Sequence, residues 1–234
     1  MKNQKHTPPP LRDAATTLLV REKNKVLEVY LLRRSDQSTF MGGLYVFPGG
    51  VVEAEDRKIE TWAPRIDMTM DQIETRLGGK RFSREEALGF GVAAIRETLE
   101  EAGVLIASGQ AKTQEDFDEI SRYRLNTSLP NSWFQTKMTA DDWILSFSSL
   151  GRWSHWITPK RMKKRFDTRF FIVFMPENQT CAPDDQETKH GIWLTPQTRD
   201  KESFLGRPHY PEAFALCQRA GHPGALGPHV GRGG

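Results

Sequence analysis

The stretch Ser83-Arg84-Glu85-Glu86-Ala87-Leu88-Gly89-Phe90-Gly91-Val92-Ala93-Ala94-Ile95-Arg96-Glu97-Thr98-Leu99-Glu100-Glu101-Ala102-Gly103 decides how the rest of the chain is read. Ser83 and Glu86 form an S-x-x-E capping box, and Gly103 stands where a helix-ending glycine belongs, so the segment predicts one helix. On a helical wheel Leu88, Val92, Ile95, Leu99 and Ala102 share one stripe, while Glu97, Glu100 and Glu101 gather on the opposite side. Like charges three and four residues apart weaken a helix, and anions near its C-terminal end oppose the dipole. Local stability would not choose this arrangement. Ala93 and Ala94, small and on the carboxylate side, leave room for something to approach. Clustered carboxylates with open space suit a hard cation such as Mg²⁺ or Mn²⁺.

Outward from this helix, Ala14 to Val20 and Val26 to Leu32 are aliphatic runs joined by the charged turn Arg21-Glu22-Lys23-Asn24-Lys25, which predicts an antiparallel strand pair. Tyr45 to Phe47 is a short strand stopped by Pro48-Gly49-Gly50. Val104 to Ala107, Arg169 to Met175 and Gly191 to Thr195 read as further strands. Glu115 to Arg124, Ala140 to Phe147 and Pro211 to Arg219 read as helices. Asp56 to Lys80 is polar and irregular, with weak helical character around Met70 to Leu77 and a break at Gly78-Gly79, within the stretch 57–89 that lies between Asp56 and Arg96. Strands flank the strong helix without regular alternation, which argues for an α+β fold, a mixed sheet with helices packed on it. The expected organisation is a disordered arm over residues 1–10, one domain over 11–207, and a short helix with a flexible Gly-, Pro- and His-rich tail over 208–234.

The chain has 234 residues, 33 basic against 30 acidic, for a net charge of +3. That balance alone does not call for a nucleic-acid partner. No run of about 18 apolar residues exists, which excludes a membrane span and a membrane partner. The basic, Pro-rich start, without an apolar core, does not read as a secretory signal. Cys181 and Cys217 lie far apart without C-x-x-C pairing, so no disulfide scaffold is expected and a reduced, cytoplasmic setting is the default. There is no phosphate-binding G-x-x-x-x-G-K-[ST] loop, H-E-x-x-H pair or G-x-S-x-G elbow.

Gly50-Val51-Val52-Glu53-Ala54-Glu55-Asp56, followed by Arg96-Glu97-Thr98-Leu99-Glu100-Glu101-Ala102-Gly103-Val104, resembles the Nudix box. Thr98 replaces an aliphatic residue of that pattern and Asp56 replaces a glutamate. Between Asp56 and Arg96 stand 39 residues, about 32 more than the pattern allows. A long insertion at this place is a feature of the Nudix branch that includes the mammalian peroxisomal coenzyme A diphosphatase. Leu31-Leu32-Arg33-Arg34-Ser35, Gly43, Phe47-Pro48-Gly49-Gly50 and Arg165-Phe166-Asp167-Thr168-Arg169-Phe170-Phe171 also look like that branch, although Thr39 stands where its upstream signature has Arg. The resemblance covers about residues 12–196.

This resemblance implies a Nudix-type α/β/α sandwich and metal-dependent hydrolysis of a nucleoside-linked diphosphate, with coenzyme A or acyl-CoA as the leading substrate. The products would be adenosine 3′,5′-bisphosphate and a 4′-phosphopantetheine compound. ADP-ribose, NADH and dinucleoside polyphosphates are alternatives, as is a Nudix-fold protein that binds nucleotide or RNA without turnover. Glu97, Glu100 and Glu101 are the implied ligands of Mg²⁺ or Mn²⁺, with the Gly50 carbonyl and a downstream acid, Glu187, completing the set. Asp184 and Asp185 compete with Glu187. Glu97, Arg96 and Glu101 are the catalytic candidates, Glu97 as general base and Arg96 as the group that orients it.

Gly49 and Gly50 are expected to supply backbone conformations that glycine tolerates. Arg34 is a candidate phosphate contact. Arg152 to Arg169 holds seven basic residues against one acid, +6 locally, so the remainder of the chain sums to −3. Within it Lys163, Lys164 and Arg165 are candidates for the nucleotide phosphates, with a solvated loop after Pro159 as the alternative reading. The partner is therefore a small nucleotide; a nucleic acid is disfavoured and a homodimer is left open. The insertion is expected to be an excursion that leaves the box geometry intact, since closure entropy grows slowly with loop length.

Overall fold

The structure, a computed structural model, describes residues 9–35, 43–78, 82–108, 112–184 and 188–195. Its centre is a long strand, β1 (Leu11–Lys23), paired in parallel with β8 (Arg165–Phe174) over ten residues, from Leu11 opposite Arg165 to Val20 opposite Phe174. On its other side β1 pairs antiparallel with two strands in succession. Its first half meets β4 (Gly49–Val51) and its second half meets β2 (Val26–Arg34). The split falls at Thr17, whose N–H turns to the Pro48 carbonyl at 2.8 Å. β2 carries β3 (Tyr45–Val46) and β9 (Thr188–Leu194), and β7 (Gly151–Ile157) closes the far edge against β8. A small second sheet joins β5 (Ala107–Ser108) to β6 (Ile144–Leu145).

Alternation along the strands sorts side chains between two faces. Ala15, Leu19, Tyr30, Leu32, Phe171 and Val173 enter the main core, whereas Leu18, Val20, Val29, Leu31 and Phe170 form a second cluster on the reverse face. Among the described residues all five helices contribute to the main core and none joins the second cluster. The fold is α+β as expected, with helical layering on one face of the sheet. No helix among the described residues is long and apolar enough to cross a membrane.

The decisive helix is α3 (Arg84–Ala102), with the capping box at Ser83 and Glu86 and a left-handed Gly103 at φ 70°. Leu88, Val92, Ile95, Leu99 and Ala102 are buried as expected. Ala93 and Ala94 are buried too, so they do not leave space for a ligand. Small residues instead let α3 be packed on several sides. A Cβ on Gly91 would lie 2.3 Å from the Phe147 ring, and the Ala94 carbonyl accepts from Thr17 Oγ1 of β1.

The segment between the two halves of the motif is not an excursion. It forms α1 (Ile59–Trp62) and α2 (Met70–Ile73), the latter opened by a Thr69 and Gln72 capping box, then a π turn over Glu74–Gly78. Trp62, Ile66, Ile73 and Leu77 are buried in the main core beside α3. Polar residues on the solvent side hid this pattern.

The remaining elements bring further corrections. α4 (Gln114–Tyr123) agrees with expectation, but α5 occupies Trp133–Ala140 and stops where the next helix was expected to begin. Asp141 and Asp142, the latter at φ 52°, turn the chain into β6. The chain from Val104 to Ile106 is irregular, and the strand expected there is confined to Ala107–Ser108. The basic stretch forms β7, a turn and β8, so the loop expected after Pro159 is the turn between two paired strands. The arm over 1–8, the Pro211 to Arg219 helix and the tail lie outside the described residues.

Replacing residues 58–78 with a Gly/Ser linker should abolish a cooperative urea transition. The single change Trp62→Ala should cost about 3–5 kcal/mol by the usual penalty for emptying an aromatic core site, measured by urea titration of the purified variant.

Candidate active site

Arg96 lies in the last third of α3, with only 7% of its side chain exposed, and all five of its N–H groups are used. Nε and Nη2 donate to the two carboxylate oxygens of Asp56 at 3.1 and 3.0 Å, a bidentate pair. Nη1 donates to Glu97 Oε1 and to Glu100 Oε2, each at 2.8 Å, and Nη2 also reaches the Val51 carbonyl at 2.9 Å. Arg96 therefore orients Glu97, as expected, and Glu100 as well. It also ties the strand β4 and the Asp56 turn to α3. Asp56 is itself 2% exposed and accepts from the Glu53 N–H at 2.8 Å, closing the loop after β4.

The carboxylates meet the Pro48-Gly49-Gly50 turn directly. Gly49 N–H donates to Glu101 Oε2 at 2.8 Å. A Cβ on Gly50 would fall 2.4 Å from Glu97 Oε1, so any larger residue there would push that carboxylate out of its place beside Arg96. The reason differs from the expected one. Neither Gly49 nor Gly50 has a positive φ, and both positions are short of space rather than in need of unusual backbone.

Burial dominates the electrostatics. It pushes the Glu97 carboxyl up to about 7; the Arg96 charge opposes the rise and the Glu100 charge adds to it. Glu100 is also raised by burial, partly countered by Arg96 and by a bond from Trp133. Burial alone would lower Arg96, but Glu97, Asp56 and Glu100 outweigh it and hold the guanidinium firmly charged.

The group opens onto a cleft of about 300 Å³. Glu53, Arg96, Glu97, Glu100 and Glu101 form one wall, and Arg124, Asn126, Leu129, Pro130, Asn131 and Trp133 form the facing wall from the α4–α5 connection. Asp184 lines the cleft as well, its N–H donating to the Glu101 carbonyl at 3.3 Å. Of the competing downstream acids it is the one the described structure brings to the site; Asp185 and Glu187 lie outside the described residues.

Arg124 was not foreseen. Buried at the end of α4, it donates through Nη1 to the Glu100 carbonyl at 2.5 Å and through Nη2 to the Ala182 carbonyl. It thereby fastens the end of α3 to the segment that carries Asp184. Trp133 was missed as well. It reaches the site from an element 33 residues beyond Glu100, and nothing local in the sequence signals that contact.

Four expected substrate contacts stand elsewhere. Arg34 ends β2, away from the cleft lining. Lys163 and Lys164 are exposed in the β7–β8 turn, and Arg165 donates to the Thr158 and Pro9 carbonyls. Of the other basic residues in that stretch, Arg169 is buried, with its guanidinium stacked 3.9 Å above the Phe82 ring.

Among the described residues, no three acidic, histidine or cysteine side chains form a ready-made ion cage. The carboxylates are turned toward Arg96, the Gly49 N–H and Trp133. Their chemistry nonetheless fits a hard divalent cation, because Asp56, Glu97 and Glu100 crowd around a single guanidinium, Glu101 lines the same cleft, and burial raises two of these carboxyls.

The family model of the NUDT19 Nudix domain matches residues 11–210. The chain belongs to the NUDT19 type of the Nudix hydrolase family. It is 24% identical over 236 residues to the acyl-coenzyme A diphosphatase NUDT19 of Xenopus laevis, covering 82% of this chain and 60% of that protein. It is 29% identical over 209 residues to the Homo sapiens protein of the same name, covering 76% and 55%. The chain thus spans little more than half the length of these NUDT19 relatives. The fold matches a Nudix hydrolase structure from Alicyclobacillus acidocaldarius with a TM-score of 0.65 at 23% identity, covering 90% of this chain and 93% of that one.

The raised Glu97 carboxyl has a measurable consequence. Its folded value, about 7, lies above the ordinary 4.5, so the folded state binds this proton more tightly than the unfolded state does. The resulting penalty is absent below about 4.5 and complete above about 7. In the metal-free protein Glu97→Gln should therefore raise Tm relative to wild type at pH 8, and the gain should shrink steadily as pH falls from 7 toward 4.5, by calorimetry in EDTA. Arg96 keeps Asp56 and Glu100 in that variant, so no buried charge is orphaned.

Proposed function

We propose that this chain is a metal-dependent diphosphatase that cleaves the diphosphate of coenzyme A or acyl-CoA into adenosine 3′,5′-bisphosphate and a 4′-phosphopantetheine product. The observation that carries the reading is the excess of carboxylate around Arg96 at the floor of a cleft, in a chain of the NUDT19 family whose relatives are named acyl-coenzyme A diphosphatases. An anionic diphosphate cannot settle against such a surface without cations between.

Glu97, Glu100 and Glu101, with the Gly50 carbonyl, would hold Mg²⁺ or Mn²⁺, and Asp184, which lines the same cleft, would add a further oxygen. Such a cation, when bound, neutralises phosphate oxygens and acidifies water. The chain's own residues do the rest. Arg96 fixes two of the carboxylates and keeps their directions constant. Glu97, held at the cleft floor by Arg96, would be the group that takes a proton from the attacking water. Arg124, Asn126 and Asn131 present polar groups from the facing wall. Lys163 and Lys164, exposed at the hairpin turn, supply positive charge for the 3′-phosphate by attraction at a distance.

A panel of coenzyme A, acyl-CoA, dephospho-coenzyme A, ADP-ribose, NADH and a dinucleoside polyphosphate, incubated with Mg²⁺ or Mn²⁺ and resolved by chromatography, tests the assignment. Coenzyme A or its acyl esters should be turned over best, with loss of activity in EDTA. Preference for another member would replace the substrate, and no turnover of any would replace the enzyme by a binding protein. Glu101→Gln and Glu100→Gln should each lower turnover by about a hundredfold; near-normal rates at limiting Mg²⁺ would remove that residue from the ligand set. Neutralising Lys163 and Lys164 together should raise KM for coenzyme A more than for dephospho-coenzyme A, with kcat little changed, at fixed ionic strength.

A further inference from the structure

The Glu100 carboxylate is gripped from two sides. Arg96 Nη1 holds Oε2 at 2.8 Å from within the same helix, and the Trp133 indole Nε1–H donates to Oε1 at 3.0 Å from α5. The indole N–H donates and never accepts, and it carries no charge. It therefore fixes the direction of one carboxylate oxygen without neutralising it, and leaves that oxygen with capacity for a further partner. Filling the space between α4 and α5 would need only a large apolar ring. Trp133 instead spends its single polar group on an acidic side chain of the cleft wall.

The indole is itself held in place. Its ring lies 6.0 Å from Tyr123 of α4 and meets Phe134 edge-on at 5.9 Å. Phe134 lies 5.6 Å from Trp62, which is wholly buried, and Gln135 Nε2 donates to Thr61 Oγ1 at 3.4 Å. Trp62 and Thr61 belong to α1, within the segment that splits the sequence motif. A continuous set of packed rings thus runs from that segment to a carboxylate of the site.

We propose that Trp133 is a positioning residue for Glu100, holding Oε1 in the orientation that cation binding requires, with α1 as its buttress. This rests on the reading of Glu100 as a cation ligand. Outer contacts of this kind set the aim of metal ligands, and losing one typically weakens metal affinity by about ten- to a hundredfold.

A double-mutant cycle on the full chain tests it, with Mn²⁺ binding followed by electron paramagnetic resonance and no substrate present. Trp133→Phe keeps an aromatic ring and removes the N–H; it should weaken Mn²⁺ binding by about tenfold. In a Glu100→Gln background the same change should alter affinity by less than about twofold, because the group through which Trp133 acts has already been changed. The Mg²⁺ concentration for half-maximal turnover should rise in Trp133→Phe while kcat at saturating Mg²⁺ returns close to wild type. A structural role alone would weaken Mn²⁺ equally in both backgrounds and would overturn the inference. Unchanged Mn²⁺ binding in Trp133→Phe, with Glu100→Gln still weakened, would overturn it while sparing the reading of Glu100. Unchanged binding in Glu100→Gln would remove both. The contact is also testable whether or not Trp133→Phe folds: one indole N–H resonance should shift on Glu100→Gln and on adding Mg²⁺ to wild type. No indole resonance responding to Glu100→Gln would refute the contact.

Discussion

The guanidinium of Arg96 is the interaction on which the rest of the site depends. A buried cation is tolerated only when nearly every donor is matched, and here five N–H groups meet Asp56, Glu97, Glu100 and the Val51 carbonyl. The converse holds with equal force. Three carboxylates this close would repel one another without the cation among them, and two already have raised carboxyls. One residue thus joins the strand after the glycine turn, the Asp56 loop and the last turns of α3 into a single rigid floor. The carboxylates owe their directions to that floor, and the cleft owes its acidity to the charge that one arginine leaves uncompensated.

α3 itself is built to be packed from several sides. Glycine in a helix costs about 1 kcal/mol relative to alanine, yet Gly89 and Gly91 both stand in its first half. A Cβ on Gly89 would lie 2.8 Å from the Arg57 side chain and 3.1 Å from Val52; one on Gly91 would strike Phe147. The helix gives up local propensity so that the sheet, the loop after β4 and the chain before β7 can all approach. The segment between the motif halves is part of the same packing, as Trp62, Ile73 and Leu77 show by their burial. It enlarges the core that holds the helix rather than decorating it.

The parts legible in the sequence were those governed by short-range periodicity. The capping box, the Gly103 stop, the apolar stripe of α3 and the hairpin of β1 and β2 all follow from neighbours within one or two turns. Glu97, Glu100 and Glu101 could be placed on one side of the helix for the same reason. β7 was not legible, because Arg152, Ser154 and His155 interrupt its apolar pattern and its pairing with β8 is a tertiary fact. The stretch after Ala140 has helical periodicity that Asp141 and Asp142 override. Trp133 and Arg124 join the site from 33 and 24 residues beyond Glu100, a proximity set by the packing of α4 and α5 rather than by any local pattern. The small residues of α3 were misread for a related reason: absence of bulk looks the same in a sequence whether a ligand or a neighbouring element fills the space.

The parallel seam between β1 and β8 carries a kinetic consequence. Every residue pair along it is separated by 154 positions in the chain, from Leu11 with Arg165 to Val20 with Phe174. The β1–β2 hairpin can form as soon as it emerges from the ribosome, but it must wait, with one edge of β1 open, until nearly the whole domain has been made. Closing so long a loop before its contacts are rewarded places this protein among the slow folders of its size, and the waiting edge is its most exposed liability during synthesis.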